Sequence, residues 1–137
     1  MAWQLRLQGV GSASAVELGS AMATIERDGA PWLTIDCGGE GLTGYLAHYG
    51  EPPRALFVTH THMDHVAGFE RLFVENYFDT ARRGRTRIYV PAPLVPLLHK
   101  RVGNTSSRTP SCQKASPTGI TWNASQKLAP PSASTLG

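Results

Sequence analysis

Apolar and polar residues alternate over residues 3–8, with Trp3, Leu5 and Leu7 on one side. A period of two predicts a half-buried strand with that side facing inward. The small residues Gly9-Val10-Gly11-Ser12-Ala13-Ser14-Ala15 predict a loop. Residues 21–27 and 31–35 read as two further strands joined at Asp28-Gly29, a dipeptide suited to a tight hairpin turn. Leu42, Tyr45, Leu46 and Tyr49 recur at helical spacing, so a short helix is expected over 41–49, ended by Gly50. Ala55-Leu56-Phe57-Val58 is apolar throughout, as in a buried strand. Phe69, Leu72 and Phe73 predict a helix behind Gly68. Beyond a turn at Arg82-Arg83-Gly84-Arg85, residues 86–90 read as a strand and 94–101 as a helix that follows the bend at Pro91 and Pro93. Strands and helices mixed along one chain imply an α/β (α+β) domain.

Residues 104–137 break this pattern. Sixteen of these 34 residues are Ser, Thr or Pro and none is acidic. Such a segment cannot bury enough apolar surface to offset its ordering entropy. We therefore expect a folded part over 1–103 and a disordered tail over 104–137; the 137 residues suit one domain. Charge divides in the same way. Residues 1–79 hold all ten acids and four arginines, net −6, whereas residues 80–137 hold nine Lys and Arg and no acid, net +9. The split marks either a nucleic-acid-binding half or two stretches that did not evolve together as coding sequence. Cys37 and Cys112 are too few and too far apart to read as a disulfide framework. The N-terminus lacks the basic and then apolar start of a secretion signal. No apolar run approaches the ~20 residues of a membrane span. A soluble cytoplasmic protein, with no membrane partner, is the expectation.

The chemistry concentrates in Thr59-His60-Thr61-His62-Met63-Asp64-His65, which holds three of the five histidines. Zinc takes imidazole and carboxylate ligands at about 2.0–2.2 Å. His60 and His62 are two residues apart, so an extended chain projects them to one side, where both reach one metal. Asp64 and His65 fall where the chain should turn into a helix and can face a second metal or a water. Two metals ~3.5–4 Å apart can clamp the attacking and leaving oxygens of a hydrolysis. Lone histidines are usually structural, but His-x-His-x-Asp-His directly after a buried strand points to a metal site.

Residues 59–68 resemble the His-x-His-x-Asp-His motif of the metallo-β-lactamase superfamily. Gly9-Val10-Gly11-Ser12-Ala13 is similar to the small-residue loop of its ribonuclease Z and phosphodiesterase branch. Ile35-Asp36-Cys37-Gly38 with Glu40-Gly41 is similar to that branch's Asp-Cys-Gly-Glu-Gly segment, with one extra Gly. The resemblance covers roughly residues 3–100. It implies an αββα sandwich, a zinc centre on one sheet edge (manganese or iron being alternatives) and hydrolysis by metal-bound hydroxide. By position, His60 and His62 would bind a first ion and Asp64 and His65 a second. Asp64 would also serve catalysis as a proton shuttle, and Asp36 would orient a ligand histidine through its other ring nitrogen. The branch favours a small-molecule or nucleotide-type phosphoester, with RNA as a further candidate, over β-lactams.

The family draws further ligands from its second half: another His, a bridging Asp and a final His. This sequence has no acid after Asp79, and its only later histidine, His99, sits in an ordinary amphipathic pattern. The chain therefore reads as the N-terminal half of the fold, with the family pattern interrupted near Gly103 or Asn104 as a shifted reading frame would do. Two rivals to a working hydrolase follow. One is a truncated, catalytically incompetent product that binds metal weakly or not at all and self-associates through its uncovered sheet. The other is a basic RNA-binding module built on Arg82, Arg83, Arg85 and Arg87, although a solvated hairpin explains those arginines more simply. Cys37 reads as a buried small hydrophobe rather than a ligand. His48, at a helix end where a cation suits the dipole, reads as structural.

Overall fold

The computed structural model describes residues 1–103 and 121–125. Three antiparallel strands, β1 (Trp3–Gly9), β2 (Met22–Arg27) and β3 (Ala30–Ile35), open the chain. Asp28 (φ 52°) and Gly29 (φ 78°) form the β2–β3 hairpin turn, where a short side chain and a glycine tolerate the left-handed region. Helix α1 (Gly39–Tyr49) then crosses to β4 (Ala55–Phe57), which lies parallel to β3. The short α2 (Met63–Val66) and the longer α3 (Phe69–Phe78) cross to β5 (Arg87–Pro91), parallel to β4. A 3-10 turn at Ala92–Leu94 leads into α4 (Val95–Gly103). The sheet runs in chain order, β1 to β5, with β6 (Thr121–Ser125) parallel to β5.

Those last five residues lie within the stretch expected to be a disordered tail. Thr121 and Trp122 suit a strand, and the edge of β5 offers unpaired backbone groups to a parallel neighbour. The rest of the expected tail lies outside the described residues.

One face of the sheet makes the core. Met22, Leu56, Val58, Ile88 and Val90 pack against Leu42 and Tyr45 of α1, Phe69 and Leu72 of α3 and Leu98 of α4, all at 2% exposure or less. Each such aliphatic side chain contributes on the order of 1.5–3 kcal/mol by leaving water. The opposite face carries Trp3, Leu5, Leu7, Ile25, Leu33, Phe57 and Tyr89 in register across neighbouring strands. Here the expectation for β1 is overturned: Trp3, Leu5 and Leu7 are 52%, 62% and 59% exposed. The alternation is real, but the apolar side points away from the helices. The polar side faces α1, where Arg6 meets Glu26 and Gln8 meets Thr24. For the same reason β4 is fully buried on one face only, at Leu56, while Ala55 and Phe57 are partly covered. The described residues form one α/β layer pair, half of an αββα sandwich.

Candidate metal centre

The site sits where β3 and β4 end side by side. Asp36 leaves β3 with φ 60°, a left-handed turn that Asp tolerates better than most residues. Its backbone N–H donates to the Phe57 carbonyl at 2.8 Å, which ties the ends of the two strands together. The Cys37 N–H donates to the His65 carbonyl at 2.7 Å, and the Gly68 N–H to the Cys37 carbonyl at 2.9 Å. The segment after β3 is thereby threaded against the cluster. Gly38 and Gly68 make that approach possible. A Cβ on Gly38 would lie 2.4 Å from Ser20 Oγ and 2.6 Å from the Asp64 carbonyl, and one on Gly68 would lie 2.8 Å from the Gly38 carbonyl.

Three imidazoles converge above this packing. The ring centroids of His60 and His62 are 4.7 Å apart, and those of His60 and His65 are 4.0 Å apart. Asp36, itself 5% exposed, places Oδ2 2.7 Å from His65 Nδ1. A carboxylate only accepts, so His65 Nδ1 carries the hydrogen, and in the neutral ring Nε2 is left with a bare lone pair. That lone pair lies 3.4 Å from Asp64 Oδ2. Two acceptors facing each other are satisfied by a shared cation or proton. The spacing is close to the edge of a tetrahedron with bonds of about 2.0–2.1 Å, roughly 3.3 Å.

Of the residues expected to form the site, Asp36 and Asp64 flank His65, while His60 lies between the rings of His62 and His65. The donor types suit zinc, and the Asp36–His65 bond is of the kind that fixes a metal-ligating imidazole. The set is gathered but not closed: among the described residues no group of three or more His, Cys, Asp and Glu side chains is arranged to hold a metal ion. Cys37 is wholly buried, and burial first, with the Asp36 charge second, pushes its thiol up to about 12. It stays protonated at neutral pH and packs as a small apolar group.

Two contacts escaped sequence reasoning. Thr59 donates its backbone N–H to Asp36 Oδ1 at 2.8 Å, and its hydroxyl touches both Asp36 and His60. Arg101, from the last turns of α4, donates to the Thr61 carbonyl at 3.2 Å and to Met63 Sδ at 2.9 Å, on either side of His62. Only the Thr59 contacts had a signal, because that residue opens the motif. The arginines of 82–87 are divided. Arg82 pairs with Asp79 at 3.0 Å, and Arg83 donates to the Tyr77 carbonyl over that residue's ring. Arg85 and Arg87 instead border a groove of about 940 Å³ on the open sheet face, floored by Trp32, Phe57 and Tyr89. This groove is the uncovered side of the sheet, separate from the histidines. Among the described residues no helix is long and apolar enough to cross a membrane.

The sheet order, the single helical layer and the histidine cluster at the strand ends define a metallo-β-lactamase fold. The structure is similar to the metallo-β-lactamase fold protein YhfI from Bacillus subtilis (TM-score 0.66, 16% identity, 90% of this chain and 46% of that one). It is also similar to a diphosphatase of the PhnP family (TM-score 0.67, 13% identity, 91% of this chain and 51% of that one). Within that class, the family model described as Anti-Pycsar protein Apyc1 matches residues 3–116, and the chain belongs to that family. The Anti-Pycsar protein Apyc1 of Saccharibacillus brassicae is 40% identical over 84 residues, 58% of this chain and 33% of its own length. A ribonuclease Z of Pseudomonas putida is 37% identical over 81 residues, 55% of this chain and 24% of its own length. The chain thus covers a third or less of these curated relatives and about half of the solved structures.

Proposed function

We propose that the chain carries the first half of the metal site of a phosphoester hydrolase acting on a small-molecule or nucleotide-type substrate. The observation that carries this reading is His65 set between two carboxylates. Asp36 holds its Nδ1 and Asp64 faces its Nε2, an arrangement suited to a cation. Zinc is the metal whose preferences the donors meet, with two ions in the complete site, and manganese or iron are the alternatives. When bound, the metal polarises the phosphoryl group and lowers the pKa of water towards ~7. His60 and His62 would hold one ion, Asp64 and His65 the other, and Asp64 would move the proton during hydrolysis. Arg101, braced beside His62, favours an anionic substrate over a neutral one. The phosphoester class is further supported by the relatives named ribonuclease Z and diphosphatase, both of which act on phosphate linkages.

A second reading is a catalytically incompetent piece of such an enzyme. It is favoured by the unclosed donor set and by the open sheet face. Turnover of bis(p-nitrophenyl) phosphate separates the two. Zinc-dependent turnover that drops to background in His62→Ala supports hydrolysis by this chain. A zinc-supplemented wild type that stays at background supports the incompetent piece.

A further inference from the structure

We propose that Thr59 is a positioning residue that passes the hydrogen-bond direction set by Asp36 on to His60, so that one carboxylate fixes the tautomers of two imidazoles. The inference rests on the reading that His60 and His65 hold metal. Thr59 Oγ1 lies 2.9 Å from Asp36 Oδ1, 2.9 Å from Asp36 Oδ2 and 2.9 Å from His60 Nδ1. A hydroxyl has one hydrogen to give and can also accept. Its two nearest carboxylate oxygens can only accept, so the hydrogen goes to Asp36. The reverse arrangement would set a hydroxyl lone pair against both carboxylate oxygens. With its hydrogen committed, Oγ1 meets His60 as an acceptor, and His60 Nδ1 carries the proton.

The relay therefore runs from His60 Nδ1–H to Thr59 Oγ1–H to Asp36, while His65 Nδ1–H reaches the same carboxylate directly at 2.7 Å. In the neutral rings both Nε2 atoms are then bare, and the ring centroids are 4.0 Å apart. Imidazole binds metal through an unprotonated nitrogen, so holding the proton on Nδ1 removes the cost of selecting that tautomer when metal arrives. Among the described residues His62 has no hydrogen-bond partner for its ring. Tautomer control is thus confined to His60 and His65. The Thr59 backbone N–H bond to Asp36 holds the relay in place without help from the hydroxyl.

The test uses the full 137-residue chain as wild type, Thr59→Val and Thr59→Ser. Long-range ¹H–¹⁵N spectra of the metal-free protein read each imidazole tautomer, and competition with a chromophoric chelator reads zinc affinity. The wild type is expected to show Nδ1–H tautomers at both His60 and His65. In Thr59→Val, His60 should lose that preference while His65 keeps it, and zinc affinity should fall about tenfold, within the range for loss of an outer hydrogen-bond partner. Thr59→Ser should restore both. An Nε2–H tautomer at His60 in the wild type overturns the proposal, and this readout stands even if Thr59→Val does not fold. So does a Thr59→Ser protein that behaves like Thr59→Val, or a Thr59→Val protein with unchanged tautomer and affinity. A wild type that binds no zinc refutes the metal reading itself, and the metal-free spectra still decide the role of Thr59.

Discussion

Glu26 is 1% exposed, yet it is a carboxylate on the core side of β2. It survives there because Arg6 Nε donates to it at 2.7 Å and the Tyr49 hydroxyl donates to the same oxygen. The Arg6 hydrogen bond first, and the Tyr49 bond second, hold the Glu26 carboxyl below its usual value. Glu40 shifts the same way through its bond to Ser20. A carboxylate whose folded pKa is depressed contributes stability above its unfolded value, near 4.5 for Glu26. That contribution is lost as pH falls through the lower folded value. Urea-unfolding stability is therefore expected to hold down to about pH 5 and to decline below about 4.5, with a shallower decline in Glu26→Gln. Identical acid slopes for the two proteins would show that another group governs the loss. None of this was legible beforehand. Pattern places residue 26 on a strand, but which face a polar residue occupies depends on the layer that covers it. Thr59 and Asp36 teach the same lesson from the other side. Their types and motif positions were visible, whereas the shared hydrogen bond needs the left-handed turn at Asp36, and that turn follows from two strand ends meeting.

Among the elements, α1, α3, α4 and the first five strands appear close to where periodicity and turn residues put them, and all of these but β1 carry a covered apolar face. The main error was the inward side of β1, since alternation fixes that two faces exist but not which is covered. The join between β3 and α3 was legible only as Gly68 standing in front of a helix. The structure adds the atoms it approaches. A Cβ there would meet the Gly38 carbonyl at 2.8 Å, the Cys37 carbonyl at 3.0 Å and Cys37 Sγ at 3.1 Å. All three belong to rigid, buried neighbours. Gly68→Ala should therefore push the α2–α3 junction off the Asp36–Gly39 segment, at a cost of about 1–3 kcal/mol, and should weaken zinc binding with it. Denaturant midpoints measured beside zinc titrations check both. Unchanged stability would mean that the junction has slack the geometry does not show.

At the scale of the molecule, the described residues form a sheet with helices on one face and apolar side chains on the other. Trp3, Leu5, Leu7 and Trp32 are each more than half exposed, in a continuous patch of the kind that drives association. Sedimentation over a range of concentrations should show self-association, and Leu5→Lys with Trp32→Lys should shift the protein towards monomer. A wild type that stays monomeric at all concentrations would mean that part of the chain outside the described residues covers this face. Half of the candidate site was legible for the same reason that half of the sandwich is present. The motif of residues 60–65 is local, whereas the family resemblance assigns the remaining donors to a second half of the fold that the described residues do not contain. The central claim is that this half-site holds a metal. A competition titration of zinc into the 137-residue chain and into His62→Ala tests it most directly. Saturable binding to the wild type is expected, weakening at least about tenfold in the variant. Wild type that retains no zinc, or a variant that binds it equally well, would contradict it.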